Sequence, residues 1–455
     1  MNAATRELPD DASGLQHLTA FLSVARTNSV TKTAMLVFKA PSAVTRAIIE
    51  LENSLGATLF ERKPRGMLLT SSGEAVRRRA VRIQEEVQAA ADEFCRSMQR
   101  VSPTLRNSVA NLLFHPRKVN LLVQLADLRN ITAAAASLGI SQAGASMALS
   151  RIEDSIGQPL FRRMMQGMAA TDQAARLILR AKRIQAEMRH MRADLWAATG
   201  SLCGSVTIGT LPLGRTLIVP TAIAAALNRH PGLKVTTVES PYEQLAALLR
   251  SGEIDMVFGA LRTSGSGEGL VTEHLFNDQL SVVARAGHPL SARECIGLEC
   301  LLRERWVLPR PETPARRLLD ASFQELGLRP PVPCVETGDL ALLRRMLACS
   351  DMVTAISPRQ LFFEMRAGEL EELPVCLART RRSIGLTLRQ GAMLSPAATA
   401  ILQEIRSLAR GADSLFALEK MIPAPEPLRP QPGARRRLHR QQQAASVFWL
   451  PTLVQ

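Results

Sequence analysis

Residues 60–86 read FERKPRGMLLTSSGEAVRRRAVRIQEE, and residues 161–187 read FRRMMQGMAATDQAARLILRAKRIQAE. Thr70 falls on Thr171, Arg82 on Arg183 and Gln84 on Gln185, an ungapped offset of 101 residues. Between Thr31 and Thr70 the two copies are identical at 12 aligned positions, among them Ala34/Ala135, Glu52/Glu153, Gly56/Gly157, Phe60/Phe161 and Arg62/Arg163. Unrelated helices rarely hold such a register by chance, so the chain carries a duplicated module.

Working back from each quoted stretch, Leu18, Phe21, Leu22, Val24 and Ala25 follow helical spacing, and a second helix is expected over Lys32–Phe38. The break KAPS follows, with Ser42 placed to cap the next helix. Val44, Ile48, Leu51 and Leu55 then form one buried stripe, and Gly56 ends it. The second copy repeats this with Ser141 as cap, the stripe Ala145, Leu149, Ile152 and Ile156, and the stop Gly157. Two short helices joined by a tight turn, the second starting on polar residues, predict a helix-turn-helix. Thr58 to Thr70 carries basic residues around Lys63-Pro64-Arg65-Gly66, the pattern of a small wing that lays Arg65 against phosphates or into a minor groove. Each wing runs into a long Arg-rich helix with one apolar side: Ala80, Ile83, Val87 and Ala91, then Leu177, Ala181, Ile184 and Met188. The arginines of these helices are expected on a solvated face.

From Ser205 the pattern changes. SVTIGTL, KVTTVES and IDMVFGA read as strands separated by the helices LIVPTAIAAALNRH and YEQLAALLRSG. A second set follows with LSVVAR, WVLP, VPCVET and MVTAIS, before SIGLTLR returns to the first lobe. Strands alternating with single helices predict parallel sheets with crossover connections. Two such lobes form a cleft where a small ligand binds.

SVTKTAMLVFKAPSAVTRAIIELENSLGATLFERKPRGMLLTSSGEA and ITAAAASLGISQAGASMALSRIEDSIGQPLFRRMMQGMAATDQAA both resemble the winged helix-turn-helix of LysR-type transcriptional regulators. The back half, strongest in GTLPLGR, HPGLKV and SGEIDMVFGALR, resembles the effector domain of that family, itself similar to periplasmic solute-binding proteins. The resemblance implies an α/β multidomain chain. It divides into a winged helix-turn-helix over 15–72, a linker helix over 73–100, a second winged helix-turn-helix over 117–171, a second linker helix over 172–198 and a two-lobed effector domain over 203–410. In the family the linker helix pairs with its counterpart in a second subunit. Two such helices in one chain, joined by a short bridge over about 101–117, could pair in cis as a pseudo-dimer of heads.

The copies diverge in complementary ways. The first has Ala40, Pro41 and Ser42 where the family reads Ser-Gln-Pro, but keeps Thr45 and Arg46 and the wing pair Arg65-Gly66. The second keeps Ser141, Gln142 and Ser146, but has Met147 in place of the Arg, Gln166 in the wing and Ala174 for Gly73. Gln at a helix start can pair with adenine and Arg with guanine. The expected DNA contacts are therefore Ser42, Thr45, Arg46, Arg65, Ser141, Gln142, Ser146 and Arg151. For the effector the resemblance points to Thr210, Leu211, Pro212 and Arg215 after the first strand, Arg262 at the end of the third, and Thr337 at a lobe crossover. A sugar or an aromatic acid is the effector class implied.

Composition agrees with this division. Residues 1–200 carry a net charge of +10 and residues 201–410 only +2, the balance of a polyanion-binding module joined to a neutral one. The seven scattered cysteines form no CxxC pair, so neither a zinc site nor a disulfide framework is expected. No nucleophile–base pair, metal spacing or phosphate-cradling loop stands out, so no catalytic residues, metal or cofactor are expected and the chain does not read as an enzyme. With no export signal and no membrane-spanning run, a cytoplasmic protein bound to double-stranded promoter DNA, as a homodimer or tetramer, is the expectation. The alternative is a regulator whose heads have degenerated and which titrates partner subunits. Residues 411–455, rich in Pro, Arg and Gln, read as a disordered tail.

Overall fold

The computed structural model describes residues 14–64, 66–98, 102–198, 200–262 and 269–411. The expected disordered tail lies outside the described residues, apart from Gly411.

The first head consists of a 3-10 turn at Leu15–His17, helices α1 (Leu18–Thr27), α2 (Val30–Leu36) and α3 (Pro41–Leu55), and the hairpin β1 (Phe60–Lys63) and β2 (Gly66–Leu69), leading into α4 (Ser71–Ser97). The second repeats it as α6 (Pro116–Leu128), α7 (Ile131–Ser137), α8 (Gln142–Ile156), β3 (Phe161–Met164) and β4 (Gly167–Ala170), leading into α9 (Asp172–Ala198). The stretch read as a bridge is largely another helix, α5 (Pro103–Leu113), with Pro at its first position and the Ser102 hydroxyl accepting from Leu105 N.

Both copies use the same internal fastenings. Glu52 Oε1 accepts hydrogen bonds from Leu59 N (2.6 Å) and Phe60 N (3.3 Å); Glu153 Oε1 accepts from Leu160 N (2.7 Å) and Phe161 N (3.2 Å). The repeated Glu thus fixes the entry into each wing. At the other side Met67 N donates to Asn28 O and Met168 N to Arg129 O, so each wing is tied to the left-handed end of its first helix. Gly66 (φ 111°) and Gly167 (φ 116°) allow this close approach, and a Cβ at either would overlap that same carbonyl oxygen. Gly66→Ala and Gly167→Ala are each expected to cost about 1–3 kcal/mol, read as a lowered thermal transition of the heads. An unchanged transition for both would show that the wings are not held this way. The helix starts differ slightly: Thr70 Oγ1 accepts from Gly73 N at 2.9 Å, and Thr171 Oγ1 from Ala174 N at 3.3 Å.

The linker helices pack on one another within the chain. Arg79 meets Glu187 and Asp194, whereas Arg180 meets Glu86 and Glu93, so the pair runs antiparallel and the heads sit at opposite ends. One apolar core continues from Leu15 and Phe21 through Ile83 and Leu122 to Ile184 and Leu195. Burial therefore joins the two heads into one body.

The back half contains β5 (Gly204–Thr210), α10 (Ile218–Arg229), β6 (Leu233–Val238), α11 (Tyr242–Ser251), β7 (Met256–Ala260) and β8 (Leu270–Asp278). β9 (Ser281–Arg285), β10 (Arg305–Leu308), α12 (Pro314–Glu325), β11 (Val335–Glu336), α13 (Leu340–Ala348), β12 (Met352–Ile356), α14 (Phe362–Arg366) and β13 (Leu370–Glu372) follow. β14 (Arg382–Arg389) and α15 (Pro396–Arg410) close it. The sheets are ordered β6-β5-β7-β14-β8 and β11-β10-β12-β9-β13. The expected parallel pairing holds for β6-β5-β7 and for β11-β10-β12, but β14, β8, β9 and β13 pair antiparallel. The reason is the crossover: β8 and β14 carry the chain between lobes in opposite senses. Asp278, at the end of β8, fastens that crossing by accepting from Ser357 Oγ (2.6 Å) and from Arg382 Nη2 (2.9 Å).

Candidate nucleic-acid interface and ligand cleft

The two helices that start at the turns differ in how they begin. α3 starts at Pro41 with Ala40 as its N-cap, so Ser42 lies inside the first turn and is not the cap expected from the sequence. Proline, which lacks the N–H that would need capping, replaces a capping side chain there. α8 has the expected cap, Ser141, whose hydroxyl accepts from Gly144 N at 3.0 Å.

On α3, Thr45 Oγ1 donates back to Pro41 O at 3.0 Å, and Arg46 is 81% exposed. Arg46 Nε donates to Glu50 Oε1 at 2.8 Å, and this bond holds the Glu50 carboxyl below the usual carboxylate range. On α8, Ser141, Gln142 and Arg151 are exposed and Ser146 is half-buried. The Gln142 side chain makes no hydrogen bond among the described residues, and Arg151 Nη2 reaches Met147 Sδ at 3.8 Å. The second head thus presents an unpaired amide, and the first a guanidinium paired with Glu50. Arg65 lies outside the described residues. At the other wing tip Met164 and Met165 are exposed, so that tip is apolar.

Behind the heads lies a site that the sequence reading missed. Arg79, expected on a solvated face, is 1% exposed. Its guanidinium donates to Asp194 Oδ2 (2.8 Å), Glu187 Oε2 (2.8 Å), Met393 O (2.5 Å) and Leu394 O (3.0 Å). One side chain of α4 therefore ties α9 and the segment between β14 and α15 together. Arg82 joins Glu187 (3.0 Å) to Gly391 O (2.7 Å), and Arg389 stands 3.5 Å from Glu187. Burial opposes the charge on Glu187, yet Arg79 and Arg82 hold its carboxyl below the ordinary range. A signal was present: Arg79 falls between Val76 and Ile83 on the apolar stripe at i+3 and i+7, unlike Arg77 and Arg78. α9 also docks on the first lobe, through Arg183 Nε to Arg250 O (2.7 Å), Arg189 Nη2 to Gly252 O (2.9 Å) and His190 Nε2 with Asp255 Oδ1 (2.8 Å).

Between the lobes is a cavity of about 280 Å³ lined by Pro212, Arg215, Thr216, Gly338, Leu340, Arg344 and Phe363. Of the expected effector residues, Pro212 and Arg215 line it. Thr210 is 1% exposed, and its carbonyl oxygen serves the site instead of its hydroxyl, accepting from Arg215 Nη2 at 2.9 Å. That hydroxyl donates to Glu239 Oε1 at 3.5 Å, and Thr210 does not line the cavity, so the expected direct ligand contact is not made there. Leu211 packs beside the small apolar cluster around Tyr242 and Leu245. Arg262 is stacked 4.8 Å above the Tyr242 ring, away from the cavity lining, and its guanidinium pKa is lowered by burial. Thr337 Oγ1 accepts from Asp339 N at 3.0 Å, shaping the turn before α13, and so is not brought to the cavity either.

Arg344 is the residue missed here. Its Nη2 donates to Gln360 O (2.9 Å), the same oxygen that Thr216 Oγ1 of the other lobe reaches (3.4 Å), and it pairs with Glu364 at 3.0 Å. Two guanidiniums, one from each lobe, thus face a single cleft. Among the described residues no group of His, Cys, Asp and Glu could hold a metal ion, and no helix is long and apolar enough to cross a membrane.

The profile of the LysR substrate binding domain matches residues 199–410, and that of the bacterial regulatory helix-turn-helix protein, lysR family, matches twice, over 15–74 and 116–175. The sequence is 40% identical over 405 residues to the HTH-type transcriptional regulator GalR of Pseudomonas putida, covering 88% of this chain and 98% of that protein. It is 27% identical over 293 residues to the HTH-type transcriptional regulator GbpR of Azospirillum brasilense, covering 64% and 85%. Among solved structures, a full-length OxyR variant from Pseudomonas aeruginosa is 22% identical with a TM-score of 0.49, covering 64% of this chain and 96% of that one.

Proposed function

The chain belongs to the LysR family of helix-turn-helix transcriptional regulators, and we propose that one polypeptide sets two DNA-reading heads on a single operator. It is a DNA-binding regulator whose promoter binding is modulated by a small effector in its C-terminal domain. The observation that supports the two-headed reading is the antiparallel pairing of α4 and α9. Each helix has 27 residues, about 40 Å at 1.5 Å per residue. Heads at the two ends of such a rod suit half-sites about one or more DNA turns apart. Arg46 of α3 and Gln142 of α8 read bases, Ser42, Thr45, Ser141, Ser146 and Arg151 support them, and Arg65 anchors the first wing. Association of two or four chains extends the operator further. The protein works by binding, without catalysis, in the compartment that holds promoter DNA.

For the effector, Arg215 and Arg344 favour an anion over a neutral sugar, and an aromatic or sugar carboxylate fits the half-apolar lining supplied by Leu340 and Phe363. A carboxylate bridging the two arginines closes the lobes only to the extent that it binds the closed state better. The fastening of α4 and α9 on the first lobe carries that closure to the heads.

DNase footprinting upstream of the protein's own coding sequence tests the reading. Arg46→Ala and Gln142→Ala are each expected to erase a different part of the footprint, at a cost of about 1–3 kcal/mol. Loss from only one variant makes the other head scaffold. No specific footprint from the wild type favours the partner-titrating alternative, for which the apolar Met147 and Met165 of the second head are the motivating observation.

A further inference from the structure

The first head exposes apolar side chains at positions where the second carries small or polar ones, whereas the second exposes Ile140 and Met147 where the first has Lys39 and Arg46. Met35 is 71% exposed, Leu36 57% and Phe38 96%, all at the end of α2 and in the turn before α3, and Ile49 on α3 is 49% exposed. At the equivalent places the second head carries Ala136, Ser137, Gly139 and Ser150. Phe38 also occupies a left-handed conformation (φ 53°), which Gly139 (φ 67°) adopts freely in the other copy. An aromatic ring held at such a position, almost wholly in solvent, contributes nothing to the folded core.

Its surroundings identify what covers it. Lys32, Lys39 and Arg46 are exposed around the patch, and Arg62 and Lys63 are exposed on the adjoining wing. The chain carries no carboxylate between Asp11 and Glu50. An apolar centre inside a basic rim, in which Arg46 pairs with Glu50 and Lys63 with Glu61 while Lys32 and Lys39 have no carboxylate partner among the described residues, complements a major groove lined by thymine methyl groups and bordered by phosphates. Resting on the reading that the first head touches DNA, we infer that this head selects a thymine-rich half-site through Phe38, Met35 and Ile49. The second head reads its half-site through the Gln142 amide. The operator is then asymmetric in composition even though the heads are copies.

The test uses the full-length protein and the footprinted duplex, with thymine replaced by deoxyuridine in one half-site at a time. Removing the 5-methyl groups deletes the proposed contact and leaves every base-pairing group in place. Wild-type affinity is expected to fall about fourfold per contacted thymine in one half-site, and by much less in the other. Phe38→Asn, a residue that tolerates the left-handed position, is expected to keep or raise the thermal transition and to lose sensitivity to deoxyuridine. A wild type that protects both half-sites but ignores deoxyuridine overturns the inference while leaving the two-headed reading intact. So does Phe38→Asn behaving as wild type on DNA while abolishing self-association or capture of a protein partner, which would make the patch a protein contact. If Arg46→Ala leaves the footprint unchanged, the first head does not read DNA, and the underlying reading fails first.

Discussion

Arg79→Ala will lower the thermal transition of the heads and weaken their coupling to the effector domain. The substitution leaves Glu187 and Asp194, 1% and 7% exposed, facing each other without the guanidinium between them. Removing one partner from a buried ion pair costs about 3–5 kcal/mol, a fall on the order of 10 °C for a domain of this size. Four hydrogen-bond partners on two segments, α9 and the stretch between β14 and α15, lose their donor together, including the carbonyls of Met393 and Leu394. Stability alone would not prove a coupling role, so a second variant separates the two. In Arg79→Met with Asp194→Leu, both charges of that pair become apolar, while Glu187 keeps Arg82 at 3.0 Å and Arg389 at 3.5 Å. Most of the stability should return, since apolar replacements of buried pairs are often neutral or better. The change of footprint on adding effector should not return, because the ties to Met393 O and Leu394 O are still missing. A double variant that responds to effector like the wild type would make Arg79 a packing residue only. In the wild type the depressed Glu187 carboxyl adds a pH dependence: its contribution is complete above the ordinary carboxylate value and is lost as pH falls through the lowered one.

What could be read from sequence, and what could not, follows from the range of the interactions. The stripe Val44, Ile48 and Leu51 and its counterpart are buried as periodicity requires, because a helix end and an apolar face are local facts. The repeat likewise announced both wings and both linker helices. The role of Glu52 and Glu153 was hidden, since each acts on backbone seven and eight residues away and no spacing rule describes that. Arg79 looks like a surface residue by its charge, but its helical phase matches Val76 and Ile83, and phase decides its burial. The nine-residue strand β8 was overlooked: LVTEHLFND mixes polar and apolar residues and buries only its first, seventh and ninth positions, so it lacks the alternation of a half-buried strand. The effector residues were the least readable of all. Carrying them over by position brought two of six to the cavity, because a cleft is defined by the other lobe, and Arg344 lies 129 residues beyond Arg215.

Arg344→Met will abolish the response to an anionic effector while leaving DNA binding by the unliganded protein in place. The cleft draws Arg215 from one lobe and Arg344 from the other, and Gln360 O already joins Thr216 to Arg344 across it. A carboxylate held by both arginines gains in the closed state and loses half its partners in the open one, which is the differential affinity that moves an equilibrium. Truncating one member of a desolvated charge pair costs about 2–5 kcal/mol, so ligand affinity should fall from roughly thirtyfold to a thousandfold or more. Titration calorimetry against a panel of aromatic and sugar carboxylates, with neutral sugars as controls, measures this directly. Because the change also strips Glu364 of its 3.0 Å partner, Arg344→Lys serves as the companion. It keeps the charge but not the planar fork, and should restore part of the binding. If neutral sugars bind as well as their acids do, or if Arg344→Met binds the acids like wild type, the cleft does not recognise anions. The two guanidiniums would then be fixtures of the lobe interface, and the ligand would be recognised by hydroxyl and backbone groups instead.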